Sequence, residues 1–147
     1  MGHDTAEKST TLRCFEELWA TGRLGVADEI LHPDYEGHAP GFRAMRGRAA
    51  LKDLVRRYHR GFPGLELAVV GQIGEGDRVV TEFILTGVHT GRWMGVPATG
   101  RAIRLGGLAF SRLDRCGQIV EQWYEWERRL LLEQLGLLPA LPDSQGE

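Results

Sequence analysis

Between Ile119 and Glu127 the chain reads IVEQWYEWE, three aromatic rings and three carboxylates within nine residues. Read as a strand, this stretch puts Gln122, Tyr124 and Trp126 on one face and Glu121, Trp123 and Glu125 on the other, because successive side chains alternate. The two faces offer different chemistry. A carboxylate, with an ordinary pKa of about 4, is ionised at neutral pH and accepts a proton. A phenol, near about 10, keeps its proton and acts first as a hydrogen-bond donor. Tyr124 therefore suits the anchoring of a carbonyl or phenol oxygen and the polarising of an enolate. Apolar burial would only raise its pKa, so burial does not turn it into a resting base.

Histidine is the side chain whose unperturbed pKa lies nearest neutrality. Three histidines come into question: His38 in EGHAP, His59 next to Tyr58, and His89 in GVHTG. No pair of them falls at metal-ligand spacing, so no metal is expected. Trp93 and Met94 lie between glycines in a segment able to cover a pocket, and are candidate substrate contacts.

The elements that position these residues are legible from periodicity. Leu12, Phe15, Leu18 and Trp19 form one face of a helix over 5–21, with Asp4 and Glu7 as a capping box and Gly22 as its stop. A short helix is expected over 24–31, ended by Pro33. HPDYEGHAPG then reads as a loop or short extended stretch. Residues 48–61 form a third helix, with Leu51, Leu54, Val55 and Tyr58 on one stripe. The period then changes to strands over 65–74, 78–89, 101–113 and 118–126, with EGD and DRCG as hairpin turns. A last helix covers 127–135, and Gly136 and Pro139 close it. Helices followed by a meander imply an α+β fold, a curved antiparallel sheet wrapped around N-terminal helices, whose interior is the ligand site.

The 147 residues suit one domain, 1–147, with its core at about 9–138. A net charge of −2 gives no electrostatic case for nucleic acid or an acidic membrane. No apolar run has the roughly 18 residues needed to span a bilayer, and the polar start MGHDTAEKST has no signal-peptide character, so a cytoplasmic location is expected. Cys14 and Cys116 form neither a disulfide framework nor a metal motif.

One stretch carries a resemblance. Residues 87–101 read GVHTGRWMGVPATGR, which fits GxHxGxxxGxPxTGR. Together with ELWATG, HPDYEGHAP, EGDRVVTEFILTGVHTG and IVEQW…LLLEQLG, it resembles the SnoaL-like polyketide cyclases, or ester cyclases, of the nuclear transport factor 2-like superfamily. The resemblance covers about residues 9–138. It implies a cone of curved sheet and helices around an apolar cavity, with no metal and no tightly bound cofactor. It also implies intramolecular aldol chemistry, in which an aspartate of the last strand deprotonates an activated carbon; other members are similar to hydroxylases of aromatic polyketides.

Aligned without a gap from the terminal QLG, that aspartate falls on Tyr124, and two assisting polar positions of the neighbouring strand fall on Leu108 and Phe110. His38 matches a position near the cavity mouth in many relatives, which makes it the replacement base. The candidate site is then Tyr124 and His38 as catalytic residues, with Trp126, Gln122, Phe110, Leu108, Trp93, Met94, His89 and His59 against the substrate. The expected function is an enzyme of anthracycline-type polyketide tailoring that takes a polycyclic phenol or quinone. A hydroxylase-type or diverged enolate reaction is favoured over aldol cyclisation, with metabolite binding without turnover as the alternative outside enzymology. Molecular oxygen is the co-substrate if the reaction is a hydroxylation, no bound cofactor is expected, and a reductase and NADPH are left open. Trp123, Leu105 and Ala109 are expected to make the outer sheet face partly apolar, and so to favour a homodimer across that face.

Overall fold

The computed structural model describes residues 5–141. The Asp4 half of the expected capping box lies outside them. Thr5 is the cap: its hydroxyl accepts from the Lys8 N–H at 3.1 Å and starts α1, Ala6–Arg13. The helix runs on as a π-helical stretch, Cys14–Trp19, that buries Cys14, Phe15, Leu18 and Trp19. This wider winding is a common local device where side chains must be re-aimed. α2 is short, Val26–Ile30, and α3, Arg48–Gly61, buries Leu51, Leu54, Val55 and Tyr58 as its stripe requires.

Six strands form one sheet: β1 Leu31–His38, β2 Met45–Arg46, β3 Glu66–Glu75, β4 Arg78–Val88, β5 Ala102–Leu113 and β6 Ile119–Trp126. Their spatial order is β2-β1-β6-β5-β4-β3. α4, Arg128–Gln134, closes the described fold. The fold is α+β, but the sheet is mixed rather than wholly antiparallel: β1 pairs with β6 in parallel. That strand arises from the segment expected to be a loop or a short extension. Its low apolar content, with Pro33, Asp34 and Gly37, hides it, and the register breaks between Leu31 and Glu36.

The β5–β6 pairing decides which side chains face the helices. Leu113 pairs with Ile119, but Arg112 pairs with Glu121, so Val120 is an extra bulged residue. Beyond the bulge, Gln122 stands beside Ser111, Tyr124 beside Ala109 and Trp126 beside Gly107, while Trp123 stands beside Phe110 and Glu125 beside Leu108. Leu105 and Ala109 are fully buried, whereas Leu108 is half exposed. The expectation that Leu105 and Ala109 face outward, and that Leu108 and Phe110 face the cavity, is thus inverted. Strand parity has a period of two, so an ungapped transfer across a turn and a bulge can be wrong by one residue, and one residue reverses every side chain.

Candidate functional site

The concave side of the sheet carries two neighbouring features, a buried polar cluster and an apolar cavity. Gln122 is the hub of the cluster. Its Oε1 accepts from the Tyr124 hydroxyl at 2.7 Å and from the Tyr35 hydroxyl at 2.8 Å. Its Nε2 donates to Ser111 Oγ at 2.9 Å. The Tyr124 hydroxyl in turn accepts from Trp19 Nε1 at 3.3 Å, and Cys14 Sγ lies 3.8 Å away. The π-helical stretch delivers both Cys14 and Trp19, β6 delivers Gln122 and Tyr124, and β1 delivers Tyr35.

All six residues are buried, and their hydrogen bonds satisfy one another. Desolvation pushes the Tyr124 and Tyr35 phenols well above the usual tyrosine range and the Cys14 thiol up to about 11. Tyr124 therefore stays protonated, with its proton committed to Gln122. Geometry and electrostatics agree that it does not rest as a base.

The cavity lies alongside this cluster. Phe15, Trp19, Tyr58, Leu67, Phe83, Leu85, Leu105, Tyr124 and Trp126 line it. Its volume is about 20 Å³, room for little more than one water-sized group. Aromatic rings fill the space around it: Tyr124 meets Trp19 at 6.1 Å and Trp126 at 6.0 Å, and Tyr58 meets Trp19 at 5.8 Å and Trp126 at 5.9 Å. The lining holds no carboxylate, histidine, lysine or arginine, and its only titratable groups are two phenols. Leu67 and Trp126 are the lining residues that still reach solvent.

Of the ten residues singled out from sequence, Tyr124 and Trp126 line this cavity and Gln122 lies just behind it. The others lie elsewhere. His38 is on the outer face, where β1 sets it beside Trp123; the rings stack at 5.4 Å, and Nε2 lies 2.8 Å from Glu121 Oε2. This corrects its expected place at the cavity mouth. The sequence could not show it, because β1 was unrecognised and its parity with it. His59 Nε2 lies 2.6 Å from the Trp19 carbonyl oxygen and ties α3 to the first helix, so it belongs to the scaffold. Leu108 and Phe110 share the outer face with Trp123, whose ring meets Phe110 edge-on at 5.6 Å.

The glycine-rich loop is docked rather than open. Thr90 and Gly91 N–H groups both donate to the Gly61 carbonyl at the end of α3. A Cβ on Gly61 would stand 2.5 Å from that of Trp93, so only glycine admits the contact. Trp93 packs on Tyr58 and Phe62 at 5.7 and 6.2 Å, behind the cavity wall instead of in it. Met94, with φ +50°, points to the surface beside Arg57. His89 is buried, and its Nδ1 accepts from the Thr99 N–H at 3.2 Å; Nε2 carries the proton and has no partner among the described residues. Burial lowers its pKa and keeps it neutral. The loop motif is thus a brace for α3.

Tyr58 was legible only as one member of a helix stripe. Its place in the cavity wall depends on the tilt of α3 against the sheet, which no local pattern reveals.

Residues 9–135 match the family model of the SnoaL-like polyketide cyclases. The chain belongs to that family. No curated protein matches it significantly. Among solved structures of the same fold, a proposed SnoaL-like polyketide cyclase from Jannaschia sp. CCS1 superposes with a TM-score of 0.83 at 27% identity, covering 91% of this chain and 94% of that one. AclR from Streptomyces galilaeus, a proposed hydroxylase, gives 0.79 at 28% identity, over 93% of this chain and 89% of its own. IdmH from Streptomyces antibioticus, a proposed polyketide cyclase, gives 0.76 at 29% identity, over 88% and 98%. This SnoaL-like chain thus shares its fold with relatives assigned to two different reactions. No helix among its described residues is long and apolar enough to cross a membrane.

Proposed function

We propose that this SnoaL-like protein acts on an aromatic polyketide by a hydroxylase-type reaction, in which the substrate's own phenolate or enolate is the electron-rich partner. One observation carries this reading: the cavity lining has no side chain able to take a proton at neutral pH. An aldol cyclisation needs a base to form its carbanion. A polyketide phenol acidified by neighbouring carbonyls ionises without one. In the hydroxylation one atom of O₂ bonds to the ring carbon and the other leaves as water, with two electrons supplied by a donor of the NADPH–reductase kind. This asks of the chain only that it bind and orient the ring.

A polycycle is far larger than the resting cavity of about 20 Å³, so binding must displace side chains. Leu67 and Trp126, the lining residues in touch with solvent, are the ones to move. The same lack of a base also favours a second reading, in which the protein holds an aromatic metabolite without turnover. The deciding experiment incubates purified protein with an anthracycline-type methyl ester precursor under air, with and without a reductase and NADPH. Product mass higher by one oxygen atom supports the proposal. Ring closure without oxygen makes the protein a cyclase, and stoichiometric binding with unchanged mass makes it a carrier; either result overturns it.

The same reading includes a homodimer. Cross-strand register lines up Ile73, Val80, Phe110 and Trp123 as an apolar band over the outer face, with Leu108 beside it. Ile73 is 76% exposed and Leu108 50%, the kind of surface that a second copy covers. Sedimentation velocity is expected to give a dimer for the native chain and a monomer for Trp123→Lys. A native monomer at micromolar concentration would remove the dimer from the proposal.

A further inference from the structure

The outer face of the sheet carries a second cluster, remote from the cavity and independent of what the cavity binds. Glu36 and His38 are two positions apart on β1 and so share a face. The parallel register sets Glu36 against Glu121 of β6 and His38 against Trp123. One donor atom from each of Glu36, His38 and Glu121 lies within 4.8 Å of the other two. All three side chains are half-buried and still reach solvent.

The atoms converge on one point. His38 Nε2 lies 2.8 Å from Glu121 Oε2 and 3.9 Å from Glu36 Oε2. A tetrahedral zinc ion, bound about 2.0–2.2 Å from each donor, holds its ligands about 3.4 Å apart. The two observed separations bracket that value, and small turns of the two glutamates reach it. The surroundings hold the donors in place. The imidazole stacks on Trp123 with 17° between the planes. Arg112 Nη2 donates to Glu121 Oε1 at 3.2 Å, which orients the carboxylate and leaves Oε2 to the cluster. Glu36 makes no ion pair with an arginine or lysine among the described residues, although Arg46 stands opposite it in the β1–β2 register. Like charges facing each other across neighbouring strands are destabilising. A cation between Glu36 and Glu121 removes that repulsion.

We propose that Glu36, His38 and Glu121 form a zinc site on the outer face of the sheet, with Arg112 as the residue that positions Glu121. One imidazole nitrogen and two carboxylate oxygens suit a first-row divalent ion such as zinc, whereas magnesium and calcium prefer oxygen alone. Solvent supplies the remaining coordination position. The ion clips β1 to β6 just past the register break between Leu31 and Glu36, so its role is to brace the parallel pair. Spacing along the chain gave no sign of such a site, because His38 and Glu121 are 83 residues apart and meet only through the β1–β6 pairing.

The test strips the full chain with a chelator and titrates it with zinc chloride in a calorimeter, for wild type, Glu36→Gln and His38→Gln. Thermal unfolding is followed with and without zinc, and the same proteins are loaded with cobalt(II) to read coordination from its visible absorption. Wild type is expected to bind one zinc per chain, to keep it in a large excess of magnesium, and to unfold at a higher temperature when loaded. Loss of even an outer-shell partner costs about 10–100-fold in metal affinity, so each variant is expected to bind at least about tenfold more weakly. Each should also lose the rise in unfolding temperature and change the cobalt spectrum. Glu36→Gln is the sharper variant, since it leaves the His38–Glu121 contact in place; a mere ion pair would not register it. Wild type that binds no zinc overturns the site. So does zinc binding that both variants retain unchanged, because the ion then sits elsewhere, and so does displacement of zinc by magnesium.

Discussion

Gln122 and Trp126 lie on the same strand and the same face, and they differ in one respect. At Gln122 every hydrogen-bonding atom has an answer within the protein: Tyr35, Tyr124 and Ser111 surround the amide at 2.7–2.9 Å. At Trp126 the buried indole N–H belongs to no such network; its ring stands edge to face against Tyr58 at 5.9 Å. A satisfied buried network rigidifies and specifies the fold. Tyr124, the residue expected from the resemblance to be catalytic, falls on the satisfied side.

The contrast can be broken by substitution. The largest effect is expected for Gln122→Leu, which strands two phenols and a hydroxyl in the core. A loss of about 3 kcal/mol or more follows from unpaired buried groups of that number, measurable by urea unfolding. Next comes a matched pair. Tyr124→Phe removes a bonded hydroxyl and leaves Trp19 Nε1 without its acceptor, for a loss of about 1–2 kcal/mol. Tyr58→Phe removes a hydroxyl that stands outside this network, with the Trp126 N–H as its hydrogen-bonding neighbour, and stability should stay within about 0.5 kcal/mol of wild type. Equal losses at the two tyrosines would erase the distinction between the networked hydroxyl and the one outside the network.

The smallest effect belongs to His89, which combines both conditions in one ring, with Nδ1 satisfied and Nε2 not. Its folded-state pKa lies below the ordinary 6.5 because burial disfavours the cation. The unfolded chain then binds the proton more readily. The contribution of His89 is complete above pH 6.5 and declines as the pH falls below it. In His89→Gln the unfolding midpoint should fall less steeply on acidification through that range, and an unchanged slope would mean that the histidine titrates alike in both states.

The sequence by itself determined the α+β class, the four long strands, the stripe of α3 and the family, because hydrophobic period, turn residues and the glycine-punctuated motif are local signals. It also determined that Gln122, Tyr124 and Trp126 share a face, since alternation within one strand needs no partner. What only the tertiary structure decided is every relation between strands and every relation between helix and sheet. The Val120 bulge reversed the parity carried over to β5 and exchanged Leu108 and Phe110 for Leu105 and Ala109. The parallel β1–β6 pairing took His38 to the outer face beside Glu121 and Trp123. The packing of α3 brought Tyr58 to Trp126. Each of these depends on contacts between residues distant in sequence, where a shift of one position changes the face, and no local pattern carries that information.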